Sequence, residues 1–325
     1  MTTLVCLAVM LAAAITSLTV GSTPVGVVSG LLDWIRGDAT PAAVIIGDIR
    51  LPRTLLALAV GAALGLSGAA LQGLLRNPLA DPSITGASQG AALGAAAVFY
   101  FGLLPQLGGL APAVAGLAGA GLALMLMLWL AGTAQAATVI LAGLAVSTLA
   151  GAALAAVLNF APNPYAMQEL VFWLLGSVSE RGMSHLAILI PALAAGTLLI
   201  WRQRQLLSAL SLGEQVAQSM GLSFAQGSRH IVLGAALLVG SSVAVAGNIG
   251  FVGLLVPHIV RPFVAHRPDR LLIPSALAGA ALVCIADIFV RLMPAGREIK
   301  IGVLTALLGA PLLLWLIWRG RKQWQ

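Results

Sequence analysis

The chain has 325 residues, of which 60% are hydrophobic and only 8% charged, with a formal net charge of +7 at pH 7. Soluble domains carry roughly a quarter of their residues charged, so a soluble fold of this size is excluded. The positive balance needs only membrane topology and anionic inner-leaflet lipid to explain it, and no nucleic-acid partner is implied.

Charge-free runs occupy residues 1–32, 54–75, 82–168, 182–201, 230–260, 271–286 and 301–318. A span needs about 20 apolar residues to cross a hydrocarbon core of about 30 Å. The run from Pro82 to Gln168 must therefore be cut in three, and Gly/Pro breaks fall at Pro105–Pro112 and Gly132–Ala137. Backbone amides in lipid must be paired internally, which leaves helices or a closed barrel, and alternating ten-residue strands are absent. In chain order the predicted spans lie near 4–22, 51–75, 84–104, 110–131, 138–158, 184–201, 230–248, 250–264, 271–292 and 301–318. The first is read as an anchor rather than a secretory signal, because no Lys or Arg precedes it. The fold class is all-α integral membrane, with about ten transmembrane helices in one domain over residues 1–325.

An even count places both termini on one side. With that side cytoplasmic, ten basic residues face inward (Arg76, Arg202, Arg204, Arg229, Arg261, Arg267, Arg270, Arg319, Arg321, Lys322), against seven outward (Arg36, Arg50, Arg53, Arg181, Arg291, Arg297, Lys300). This is a shallow positive-inside bias. Cys6 and Cys284 lie inside spans with no CxxC or Cys/His partner, and are read as small packing residues. Small-xxx-small steps such as Gly61–Gly65 and Gly116–Ala120 suit close helix packing in lipid. VGAALGLSGAALQGLLRNP and VGSSVAVAGNIGFVGLLVP echo one another and would start on opposite faces, as an inverted-topology repeat requires.

The catalytic inventory is thin: no His-x-x-x-His, no Gly-x-Ser-x-Gly and no P-loop lysine, the only lysines being Lys300 and Lys322. Any ATP used must be hydrolysed by a separate subunit. Ion-coupled carriers bury ionisable residues at mid-membrane. Here Asp287 stands nearly alone, four residues before Arg291, as an i,i+4 pair near a helix end. Three polar clusters stand out. Asp48–Arg53 places Pro52 in what reads as the first turn of a helix, with Arg50 and Arg53 either snorkelling or facing an acidic partner. Gln72–Pro82 carries Asn77, Pro78 and Leu79 in a tight turn at the inner surface. Leu212–Ser223, bracketed by Gly213 and Gly221, reads as a short helix, either interfacial or a docking element, in a cytoplasmic segment of about 205–228.

These clusters, in this order, resemble the FecCD family, the permease subunits of iron-siderophore, haem and cobalamin ABC importers. The resemblance rests on IRLPR (49–53), SGAALQGLLRNPLADPSITGASQGA (67–91), LAGLA (141–145), LGEQVAQSMGL (212–222), GNIGFVGLLVPHIVR (247–261), ADIFVRL (286–292) and IGVLTALLGAPLLLWL (301–316). It implies a homodimer around a central pathway in the bacterial inner membrane. Two ATPase subunits that use ATP and Mg would sit below it, and a periplasmic or lipid-anchored substrate-binding protein would dock from outside. The resemblance assigns Arg50, Arg53 and Arg291 to binding-protein docking. It assigns Leu212, Gly213, Glu214, Ala217, Gln218 and Gly221 to ATPase coupling, with Ala217 and Met220 expected to pack. The cytoplasmic gate falls on Asn77, Pro78 and Leu79 with Ala136 and Ala137, where the second segment, Gln135–Thr138, is poor in hydroxyls.

No cofactor or metal is expected on this chain. His258 reads as a structural hydrogen-bonder rather than a haem or metal ligand, and Met125, Met167 and Met183 read as packing. Where some family members carry Arg at the mouth of the pathway, this chain reads Ala166-Met167-Gln168-Glu169-Leu170, with Arg181 nearby, which weakens haem as cargo. The cargo expected is an iron chelate, with cobalamin or haem as the alternative and an ATP-independent carrier further off.

Overall fold

The structure, a computed structural model, describes residues 1–21, 23–132, 136–160, 164–293 and 299–320, and every regular element among them is a helix. Helix α1 spans Thr2–Thr19 and α2 spans Val27–Arg36. The short α3 (Pro41–Ala43) runs through a π-helical turn, Val44–Arg50, into α4 (Leu51–Leu75), so that one rod extends from Pro41 to Leu75. After a 3₁₀ turn at Pro82–Thr85 come α5 (Ala87–Phe101), α6 (Ala111–Ala131), α7 (Ala136–Asn159) and α8 (Pro164–Leu174). Then follow α9 (Met183–Arg202), α10 (Arg204–Leu210), α11 (Glu214–Ser219) and α12 (Phe224–Ala246). The last are α13 (Val252–Val260) with a 3₁₀ extension Arg261–Val264, α14 (Pro268–Leu292) and α15 (Ile301–Gly320).

Among the described residues seven of these helices are long and apolar enough to cross a membrane: α1, the Pro41–Leu75 rod, α6, α7, α9, α12 and α14. Three more, α5, α13 with its extension, and α15, are apolar but shorter. Every stretch predicted as a span is helical over most of its length. Helices α2 and α8, and the short α3 and α10, were not expected. Of the residues named from the sequence, Arg297, Arg321, Lys322 and Gln135 lie outside the described residues.

Pro52 does not open a helix. The helix has already run from Pro41, and Pro52 sits just past the π turn. A proline inside an α-helix forfeits one backbone hydrogen bond and crowds the preceding turn, and a widened turn relieves that crowding. Arg50 and Arg53 thus do not oppose a helix N-terminal dipole, because the N-terminus lies some nine residues upstream, capped by Thr40, whose hydroxyl accepts from the Ala43 amide at 3.1 Å.

α4, α12 and α14 form the buried centre and α1 lies on the outside, packed mainly on α14. The central helices touch at backbone distance. A Cβ on Gly61 would lie 2.2 Å from the Gly279 carbonyl oxygen, and one on Gly65 2.1 Å from that of Ser275, so the Gly61–Gly65 step does the packing expected of it. The two echoing stretches are not folded alike. The first is uninterrupted helix to Leu75, while the second breaks after Ala246. What they share is a plan: a long buried helix, a break, and a shorter helix whose N-cap, Gly86 or Phe251, is left-handed.

Candidate docking and coupling surfaces

α1 ends without a basic residue in its last turn, so its terminal carbonyls need donors from elsewhere. Arg50 supplies two: Nη1 donates to Leu18 O at 2.9 Å and Thr19 O at 3.1 Å, and Nη2 donates to Thr23 O at 2.5 Å. Arg291 supplies the rest: Nη1 donates to Ser17 O at 2.8 Å and Val20 O at 3.3 Å, and Nη2 donates to the Ser17 hydroxyl at 2.5 Å. Two arginines from distant parts of the chain thus cap the α1 C-terminus, where the helix dipole favours cations.

The same cluster holds a fully buried carboxylate, Asp287. Arg53 clamps it with Nε at 3.0 Å from each carboxylate oxygen and Nη2 at 2.8 Å. Arg291 binds it through Nε at 2.8 Å and through Nη2. The i,i+4 pair expected from sequence is present but is only half of a triad. Of the three arginines Arg50 is 5% exposed, while the side chains of Arg291 and Arg53 are 8% and 18% exposed. Arg53 Nη1 is the one guanidinium nitrogen of the clamp with no hydrogen bond among the described residues.

At the other end Gln72 is buried and ties two parts of the chain. Its Nε2 donates to Leu254 O at 3.1 Å, and its Oε1 accepts from Arg261 Nη2 at 2.5 Å. Beyond it α4 stops at left-handed Arg76. Asn77 Oδ1 accepts from the Leu79 amide at 2.9 Å, folding an exposed Asn77-Pro78-Leu79 turn. Asp81 then caps the 3₁₀ turn by accepting from the Ser83 amide at 2.8 Å. α7, opened by Ala136 and Ala137, packs on that 3₁₀ turn, where a Cβ on Gly143 would lie 2.5 Å from Ile84 O.

The predicted coupling segment is a pair of short helices. α10 buries Leu206, Leu207, Ala209 and Leu210 and packs on α4 and α14. α11 is set off by two residues that require glycine, Gly213 at φ 115° and Gly221 at φ 76°. Ala217 is buried, while Leu212, Glu214 and Gln218 are exposed, with Gln218 Nε2 donating to Glu214 Oε1 at 3.4 Å. Met220, just past the last turn of α11, is 62% exposed on this chain.

A mostly apolar cavity of about 410 Å³ lies between the end of α8, the 248–251 segment and α15, with Asn248 its polar element. Among the described residues no group of three or more His, Cys, Asp or Glu could hold a metal ion. His258 Nδ1 is buried without a partner, so the structural hydrogen bond expected of it is not made by that atom. Arg181, outside the spans, is half-buried, and burial pushes its guanidinium below the usual value while Glu180 opposes the shift. Sequence reasoning missed the α1 capping, although the uncapped last turn of α1 was a readable signal. It also missed Gln72 as a tie, because its partners lie more than 180 residues away.

Comparison with known proteins places these features in a family. The model of the FecCD transport family matches residues 8–319. The hemin transport system permease protein HmuU of Yersinia pestis is 39% identical over 85% of this chain and 84% of its own length. The vitamin B12 import system permease protein BtuC of Citrobacter koseri is 37% identical over 89% of this chain and 87% of its own. An ABC transporter permease of Bacillus subtilis, YvrB, is 39% identical over 86% and 80%. Among solved structures, a metal-chelate type ABC transporter in an inward-facing conformation superimposes with a TM-score of 0.82 at 29% identity, covering 98% of both chains.

Proposed function

The chain belongs to the FecCD transport family, and on that footing we propose that it is the ten-helix permease of a binding-protein-dependent ABC importer carrying an iron chelate across the inner membrane. Two copies would enclose the pathway, two ATPase subunits using ATP and Mg would sit under α10 and α11, and a binding protein would dock at the opposite end. Both termini would then be cytoplasmic.

The observation that carries this reading is the construction of α10 and α11. α10 is buried against α4 and α14, and it presents α11 with Leu212, Glu214, Gln218 and Met220 free of internal packing. A polar helix exposed on a rigid apolar mount transmits a push from a partner into the central helices. The 410 Å³ cavity lined by Leu174, Phe251, Val303 and Asn248 suits a weakly binding wall, from which a bulky chelate leaves readily. Specificity then belongs to the binding protein.

The outer end supports docking with divided roles. Arg53, the most exposed of the three and with Nη1 unbonded among the described residues, makes the direct contact with an acidic partner. Arg50 and Arg291 hold the α1 end in place and add positive field. At the inner end the Asn77–Leu79 turn, with the start of α7, forms the gate.

Haem or cobalamin as cargo is the second reading, favoured by relatives whose names carry those substrates at 37–39% identity. Reconstitution in vesicles with the cognate ATPase and binding protein tests the machinery: uptake should stop without ATP, and uptake that persists would sink the reading. The ligand that co-purifies with the binding protein decides the cargo.

A further inference from the structure

α1 is almost bare on its outer flank, yet that flank is not flat. A groove of about 510 Å³, nearly devoid of polar atoms, runs between α1, α13 and α14, walled by Val5, Val9, Val256, Ile259, Ala281 and Ile285. At the α9–α10 end it meets a second cavity of about 520 Å³, lined by Thr3, Trp201, Asp269 and Arg270, and the two share Thr2 and Phe263 in their walls. The Thr2 hydroxyl donates to Phe263 O at 2.7 Å and closes the floor between them.

The charge at this junction is positive and uncommitted. Asp269 is already held by Arg267 at 3.0 Å, which leaves Arg270, exposed and with no acidic partner among the described residues, as the free charge in the second cavity. Trp201, in the same wall, has the Arg204 guanidinium 4.8 Å from its ring centroid. A tryptophan with arginines at the end of an apolar helix marks the headgroup level of a bilayer. A long apolar slot ending at a cation and an indole matches one class of molecule, with a hydrocarbon tail and an anionic head.

We propose that this flank is a binding site for an anionic phospholipid, one acyl chain lying in the α1/α13/α14 groove and the phosphate at Arg270 beside Trp201. Such a lipid covers the flank of α1 that its packing on α14 leaves bare. A merely annular lipid would show no dependence on the groove or on Arg270.

The test uses the full chain, delipidated in detergent and offered mixed micelles of phosphatidylglycerol or phosphatidylcholine, with bound lipid counted by native mass spectrometry. Phosphatidylglycerol should be retained about fivefold better, the worth of one basic side chain near an anionic surface. Arg270→Gln, at an exposed position, should abolish that preference without changing thermal unfolding. Val9→Trp, which fills the groove from a half-exposed site, should lower retention of both lipids. Equal retention of the two lipids by the unmodified chain would overturn the proposal, as would a preference untouched by Arg270→Gln. Retention indifferent to Val9→Trp, or lipid displaced by inorganic phosphate alone, would overturn the groove.

Discussion

The two ends of the bundle handle their polar residues in opposite ways. At the end holding Arg50, Arg53 and Arg291 nearly every donor is consumed inside the chain, on the α1 carbonyls and on buried Asp287. At the end holding α11, Leu212, Glu214, Gln218 and Met220 are exposed on a mount whose own apolar residues are buried. An arginine beside a helix C-terminus in a membrane protein is therefore first a structural group, and only its leftover donors are free for a partner. Exposed polar groups on a short rigid helix carry no such prior commitment.

The comparison breaks most sharply at Asp287. Asp287→Ala removes the fully buried carboxylate that holds Arg53 and Arg291 together, and removing one partner of a buried ion pair costs about 3–5 kcal/mol. The loss should appear in thermal denaturation in detergent, and a change near zero would mean that the cluster is not structural. Arg291→Ala leaves Asp287 paired to Arg53 but uncaps α1, and should cost about 1.5–3 kcal/mol, the range for hydrogen bonds to charged groups. Arg53→Ala should lose less stability than Arg291→Ala, but more of the stimulation of ATP hydrolysis by the binding protein. The reverse order would undo the division of roles. At the opposite end Gln72→Leu removes the partner of Arg261 and should cost about 1–3 kcal/mol, read by the same melt. Smallest of all, Glu214→Ala should change stability by no more than about 0.5 kcal/mol, as expected of a surface substitution. It should nevertheless reduce transport coupled to ATP hydrolysis, and undiminished transport would remove Glu214 from the contact.

Much of the helical plan was legible because an apolar run leaves the backbone no option but a helix in lipid. The limits of α6, α9 and α14 fall within a few residues of the spans read from Gly, Pro and charge. α8 was not legible, because Pro164–Leu174 mixes Gln168 and Glu169 into an apolar stretch too short to cross. α12 begins six residues before the predicted span, since Ser223 accepts from the Gln226 amide at 3.3 Å and lets a polar turn precede the apolar one. The candidate site residues could be read from their position at helix ends, but their partners within the chain could not. Arg50 reaches Leu18 across 32 residues and Arg53 reaches Asp287 across 234, and neither separation leaves a local pattern.

The π turn at Val44–Arg50 is an extra residue stored in an otherwise regular rod. If it were drawn into α-helical pitch, everything upstream would screw by about 100° and advance by about 1.5 Å relative to the membrane part of the rod. That upstream segment begins at Thr40, whose hydroxyl donates to Asp33 Oδ2 at 2.8 Å and so has α2 in tow. The rod thus has a built-in slip joint: a single residue of slack beside Arg50 and Arg53 can turn α2 and α3 while the buried helices stand still.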